Sequence, residues 1–268
     1  MKRQKVTSRE YKVMLQPGRF GGSEKQLLKA AREFWRDFAR SVAGVVDPSG
    51  TLKSIEKRRL IVFLDTTAKD LKLGGYIFRV RRTLEGGQPE ITLKFRHPDR
   101  YVAESRRMKS RRANTRSKFE EDIKAPFVSL YSFSASGKAG KTGIPSNLGQ
   151  LLGAFPDLPK RVGPVEASKT LSEVKGFTAR ELVITGSSLR IGSSPETLAE
   201  CALIVWYDHN GSPTEPGAVE FSYRYGDEGG RYGGRSARRA FDVFETLQRD
   251  LPTWVDPNPR TKTAFVFD

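Results

Sequence analysis

Five stretches of this chain alternate charged and apolar residues with a period of two. Ser8, Glu10 and Lys12 share one parity, with Tyr11, Val13 and Leu15 on the other. Arg79 and Arg81 alternate with Phe78 and Val80, and Thr92, Lys94 and Arg96 with Ile91, Leu93 and Phe95. Lys118, Glu120 and Asp122 alternate with Phe119 and Ile123, and Glu220, Ser222 and Arg224 with Val219, Phe221 and Tyr223. Period two belongs to extended strands, where residues i and i+2 share a face about 7 Å apart. Such a strand ordinarily turns its polar face to solvent. Here the polar faces carry paired Arg and Lys with carboxylates between them. The opposite faces are apolar enough to require a covering layer. A sheet closed on itself, with charge inside and helices outside, accommodates both. Unpaired cations in a closed interior cost several kcal/mol each, so such an interior needs water, carboxylates or a bound polyanion.

The remaining segments suit that architecture. Ser23 with Gln26 three residues on is a capping box, and Leu27, Leu28, Ala31, Phe34, Trp35, Phe38 and Val42 form an apolar helical stripe behind it. Strands are expected at 8–15, 59–65, 76–83, 90–96, 118–125, 173–184, 188–192, 201–207, 218–225 and 261–267. Glycine turns at Gly74-Gly75 and Gly86-Gly87 imply an antiparallel meander. Helices are expected at 147–155 and 236–250. Residues 97–117 read as a basic loop or extended hairpin. The Ser-, Gly- and Lys-rich stretch 134–149 reads as a linker between two halves of one domain spanning 1–268.

The chain has 268 residues and a formal net charge of +16, from 47 basic and 31 acidic side chains. That excess favours anionic partners. Cys201 is the single cysteine, so no intramolecular disulfide is possible, and the basic N-terminus lacks the apolar core of a signal peptide. No apolar run approaches the roughly 18 residues of a membrane span. A soluble, cytoplasmic protein is expected.

The order of these segments resembles the CYTH, or triphosphate tunnel metalloenzyme, superfamily. Phe63, Asp65 and Thr66, with Leu64 inserted, resemble its Phe-Asp-Thr motif. Arg79 and Arg81 resemble its Arg-x-Arg strand, and Lys94 and Arg96 the strand after it. Glu10 and Lys12 match the opening Glu-x-Glu-x-Lys, with Ser8 in place of the first Glu. Lys118, Glu120 and Asp122 resemble the Arg-x-Glu-x-Glu strand. Glu220 matches one late glutamate where Ser222 replaces another, and Lys262 resembles the closing Ser-Lys-Thr element. The resemblance implies an α+β fold, an eight-stranded antiparallel β-barrel with flanking helices. It implies Lys12, Arg79, Arg81, Lys94, Arg96, Lys118, Arg224 and Lys262 as phosphate-binding residues. It implies Glu10, Glu120, Asp122 and Glu220 as ligands of Mg2+ or Mn2+, the last three also as catalytic residues. The implied activity is metal-dependent hydrolysis of the terminal phosphate of a triphosphate or short polyphosphate. With Ser8 and Ser222 replacing glutamates, at most one divalent ion is expected. A polyphosphate polymerase, or a non-catalytic binder of polyphosphate, nucleotide or RNA, are the alternatives.

Other signals carry less. Ala135–Thr142 matches a loose P-loop pattern, but Gly143 and Pro145 break the helix such a loop must open. The cluster Arg106, Arg107, Lys109, Arg111, Arg112 and Arg116 could meet nucleic-acid phosphates, yet few aromatics interleave it for stacking. His97 and His209 lie in turns with no metal-ligand spacing, and Trp35, Trp206 and Trp254 are expected to pack.

Overall fold

The computed structural model describes residues 3–158, 166–194, 196–226 and 232–267. The strands are β1 (Ser8–Leu15), β2 (Asp47–Asp65), β3 (Tyr76–Thr83), β4 (Glu90–His97), β5 (Ala113–Lys124), β6 (Val128–Lys138), β7 (Ser172–Ser193), β8 (Glu196–Asp208) and β9 (Ala218–Tyr225). They close into a barrel in the order β1-β5-β6-β4-β3-β2-β7-β8-β9. The expected count was eight, all antiparallel. A closed ring with an odd number of strands cannot alternate direction throughout, and the exception is β1 beside β5, parallel from Ser8↔Glu120 to Lys12↔Lys124. Every other pairing is antiparallel.

Four expectations fail locally, and the first is that residues 97–117, read as a basic loop or extended hairpin, carry a helix at Arg100–Ser105 and the start of β5. Residues 134–138, read as the start of a linker, belong to β6, whose inward positions are Ser132, Ser134 and Ser136. Residues 173–184 and 188–192 are one strand, bent by a bulge at Gly186. Gly186 has φ of +111°, and a Cβ there would lie 2.7 Å from the Thr51 carbonyl oxygen, so only glycine fits. Residues 262–267 form a helix rather than a closing strand.

The helices are α1 (Glu24–Val42), α2 (Asp70–Leu73), α3 (Arg100–Ser105), α4 (Leu148–Ala154), α5 (Gly234–Asp250) and α6 (Lys262–Phe267). Packing follows strand parity. The apolar outer faces of β1, β7, β8 and β9 are buried under α1 and α5, with Phe34, Phe38 and Phe221 at the contact. The outer faces of β3 to β6 are buried with residues of α2, α3 and α4, around Phe78, Phe95, Phe119 and Phe155. A third cluster lies inside one end of the barrel, where Phe267 of α6 meets Phe63 edge-on and Trp206 lies tilted on Phe63. No helix among the described residues is long and apolar enough to cross a membrane.

The capping box forms as the sequence implies: Gln26 N–H donates to Ser23 Oγ at 3.4 Å, and Ser23 N–H to Gln26 Oε1 at 2.8 Å. Ser23→Ala should cost about 1 kcal/mol, read as a lowered urea midpoint with unchanged m-value.

Candidate functional site: a cationic lumen

The parity that sends apolar side chains to the helices sends the charged ones inward. Glu10, Arg79, Lys94, Glu120 and Glu220 all line one central cavity of about 580 Å³. Among the described residues its wall carries twelve Lys and Arg side chains against five Glu. Lys12, Arg81, Arg96, Lys118, Arg224 and Lys262 are among the cations, so every phosphate-binding candidate from the sequence reaches the same space. Lys118 and Arg224 sit at its exposed rim, Arg224 donating to Glu200 at 3.2 Å.

Further groups join them that the sequence reading did not single out. Arg59 donates through Nε to Glu181 at 2.8 Å, and Trp206 donates through Nε1 to the same carboxylate at 2.9 Å. Burial alone would raise the Glu181 pKa, but Lys262, Arg59 and Arg81 hold it down at about 2. Lys57, Glu90, Arg116, Lys124, Thr261 and Thr263 also line the wall. Arg59 and Lys124 simply continue the period-two runs of β2 and β5, which is the signal that could have found them.

Asp122 does not line the cavity; it lies beneath its wall, 1% exposed. Lys12 Nζ is 2.8 Å from Oδ1, while Lys94 Nζ at 3.1 Å and Arg96 at 3.4 Å reach Oδ2. Burial favours the protonated acid, yet these cations outweigh it and hold Asp122 well below the usual carboxylate range. Asp122 is thus a buried counter-ion that fixes three lumen cations. The Asp65 of the Phe-Asp-Thr resemblance also lies outside the lumen. Its carboxylate accepts backbone N–H groups from Thr66, Leu71 and Lys72 at 2.8 to 3.0 Å and fastens α2.

The cations are unequally satisfied. Arg79 makes no side-chain hydrogen bond or ion pair with any described residue, and its Nε is buried without a partner. Burial, then the neighbouring Arg81, hold its pKa well below the ordinary arginine value. Arg81 has one long contact, 3.7 Å to Glu90, and the Nε atoms of Arg81 and Arg96 are likewise buried and unpaired. Burial also lowers Lys94 and Lys124 to about 8.

Glu10 and Asp122 share Lys12 between them, but the four carboxylates expected to hold Mg2+ or Mn2+ do not gather into one ligand set. Among the described residues no three His, Cys, Asp or Glu side chains gather where they could hold an ion. Each candidate already faces a cation: Glu10 meets Lys12 at 3.0 Å, Glu220 meets Lys262 at 3.0 Å, and Asp122 is saturated as above. Glu120 accepts from Ser8 Oγ at 3.0 Å and has Lys118 at 3.6 Å. The donor set as arranged does not fit a divalent ion.

No family model matches the chain, and no curated protein matches it. The solved structures that match are remote. A candidate adenylyl cyclase from Hippeastrum, said to have a dominant triphosphatase activity, shares 14% identity with a TM-score of 0.48, covering 98% of this chain and 95% of that one. A candidate adenylate cyclase from Bacillus halodurans shares 11% identity with a TM-score of 0.37, covering 99% of both chains. A third, from Vibrio parahaemolyticus, shares 10% identity with a TM-score of 0.38 and covers 98% of both.

Proposed function

We propose that this protein binds a triphosphate or short polyphosphate inside the barrel, with Arg79 and Arg81 as its principal grips. The observation that carries this reading is Arg79: a guanidinium held inside a barrel beside a second guanidinium, with no carboxylate at hydrogen-bonding or ion-pair distance among the described residues, Glu181 and Glu90 attracting it only from farther off. An unpaired interior cation is costly, and a phosphate oxygen removes that cost through bidentate, charge-assisted hydrogen bonds. Lys12, Lys94, Arg96 and Lys262 surround the same cavity and would neutralise the remaining anionic oxygens. Lys118 and Arg224 at the rim would meet the anion as it enters. Calorimetric titration with inorganic triphosphate tests the reading. One anion per chain is expected, with affinity falling steeply as salt rises, because the contacts are ionic.

Hydrolysis of the terminal phosphate is a second reading. What favours it is that Glu10 and Glu120 reach the same lumen as the cations. There a carboxylate could orient a water for attack while the cations absorb the charge developing on the phosphoryl oxygens. Release of inorganic phosphate from triphosphate separates this enzyme from a binder.

The lysines give the binding a pH dependence. Lys94 and Lys124, at about 8 in the free protein, are charged below that pH and neutral above it. A bound polyanion favours the charged form, so affinity should be greatest below pH 8 and fall between pH 8 and 10. Binding near pH 9 should draw protons from the buffer. Titrations in two buffers of different ionisation enthalpy should therefore give different apparent heats at pH 9.

A further inference from the structure

We infer that the lumen takes its polyanion without a divalent metal, because the ammonium of Lys12 holds the place between carboxylates where such an ion would sit. This rests on the reading of the lumen as a phosphate site. Lys12 Nζ lies 3.0 Å from Glu10 Oε2 and 2.8 Å from Asp122 Oδ1, and so bridges the two carboxylates across neighbouring strands. The second oxygen of Asp122 is taken by Lys94 and Arg96.

Mg2+ needs near-octahedral oxygen ligands at about 2.0–2.1 Å and sheds its waters reluctantly. To enter here it would have to displace a lysine that has two short ion pairs. The charge that a metal would bring is already supplied by the wall. Position 8, on the same inward parity as Glu10, offers a hydroxyl, and that hydroxyl is spent on Glu120. Position 222, opposite Lys12 on β9, is again serine. The two places where a carboxylate would have widened an oxygen cage are therefore neutral. A metal ion in solution does bind the free polyanion and lowers its charge. Mg2+ should thus compete with the lumen instead of assisting it.

The test uses the full chain and two titrations. In the first, Mn2+ is added to the wild-type protein without phosphate and followed by electron paramagnetic resonance. No stoichiometric site tighter than about 1 mM, a Kd equivalent to roughly 4 kcal/mol, is expected; a stoichiometric tight site overturns the inference. In the second, inorganic triphosphate is titrated with a chelator present and again with excess Mg2+. The affinity should be unchanged or weaker with Mg2+, and a ten-fold gain overturns the inference. Should triphosphate bind in neither condition, the phosphate-site reading fails, while the Mn2+ titration still decides whether the carboxylates hold an ion. Lys12→Met frees Glu10 and one oxygen of Asp122, and a folded variant should bind Mn2+ at least ten-fold more tightly than wild type. No gain in a folded variant overturns the place-holder role of the ammonium. The wild-type titrations decide the matter if that variant does not fold.

Discussion

Arg79→Met should make the free protein more stable and a poorer binder of triphosphate. Arginine at this position sits beside Arg81 with no carboxylate at ion-pair distance among the described residues, Glu181 and Glu90 compensating it only from farther off. Methionine keeps much of the volume, removes the charge, and faces apolar neighbours such as Phe63 and Ile77 in the same wall. Replacing poorly compensated interior charge by an apolar side chain is commonly stabilising by about 1 kcal/mol or more. Each lost charge-assisted hydrogen bond to phosphate costs about 1.5–3 kcal/mol, which is roughly ten-fold to a hundred-fold in affinity. A residue kept for packing would show the opposite sign in stability. Urea denaturation without ligand and calorimetry with inorganic triphosphate, on the same two proteins, check both signs. A variant that loses stability and keeps its affinity would remove Arg79 from the site.

Asp122→Asn should behave in the reverse sense. Asparagine preserves the shape but leaves Lys12, Lys94 and Arg96 without their shared counter-ion. Breaking a buried ion pair by removing one partner typically costs about 3–5 kcal/mol. The same change makes the lumen more positive, so triphosphate should bind more tightly and restore much of the lost stability by mass action. The Asp122 contribution is also pH-dependent. Its folded pKa is depressed, so the stability it confers is present above the unfolded value and lost as pH falls through the folded one. The wild-type protein should therefore lose stability in acid in a way that Asp122→Asn does not. Equal acid sensitivity in the two proteins would place that loss elsewhere.

The two variants together show what sequence could and could not reveal. Parity alone sends Arg79 inward, because Phe78 and Val80 on either side demand the core. It sends Asp122 inward as well, but cannot say that the side chain stops beneath the wall and serves three cations. That depends on β1 and β5 lying parallel, a pairing between segments more than a hundred residues apart. β6 was hidden for a different reason. Its inward positions are serines, small enough to leave room for the long cations opposite, and a Ser-rich run looks like a linker when read along the chain. Glu181 was hidden by its neighbours, since Leu182, Val183 and Ile184 follow it without the charged–apolar alternation that marks the other lumen strands. The C-terminal segment misled through propensity. Thr261–Phe267 has strand-like composition, but Val266 and Phe267 are buried within the barrel end and tertiary packing prevails there. Lys262 nevertheless reaches the lumen as expected, from a helix, paired with Glu220 and over the Trp206 ring.

On this reading the charged lumen is an anion site and not only a way of solubilising a basic protein. A crystal structure of the protein soaked with inorganic triphosphate tests it most directly. One ordered anion is expected within the barrel, its oxygens within hydrogen-bonding distance of the Arg79 and Arg81 guanidinium groups. An anion found only on the outer basic surface, such as the Arg106–Arg116 segment, with the lumen holding water alone, would contradict it.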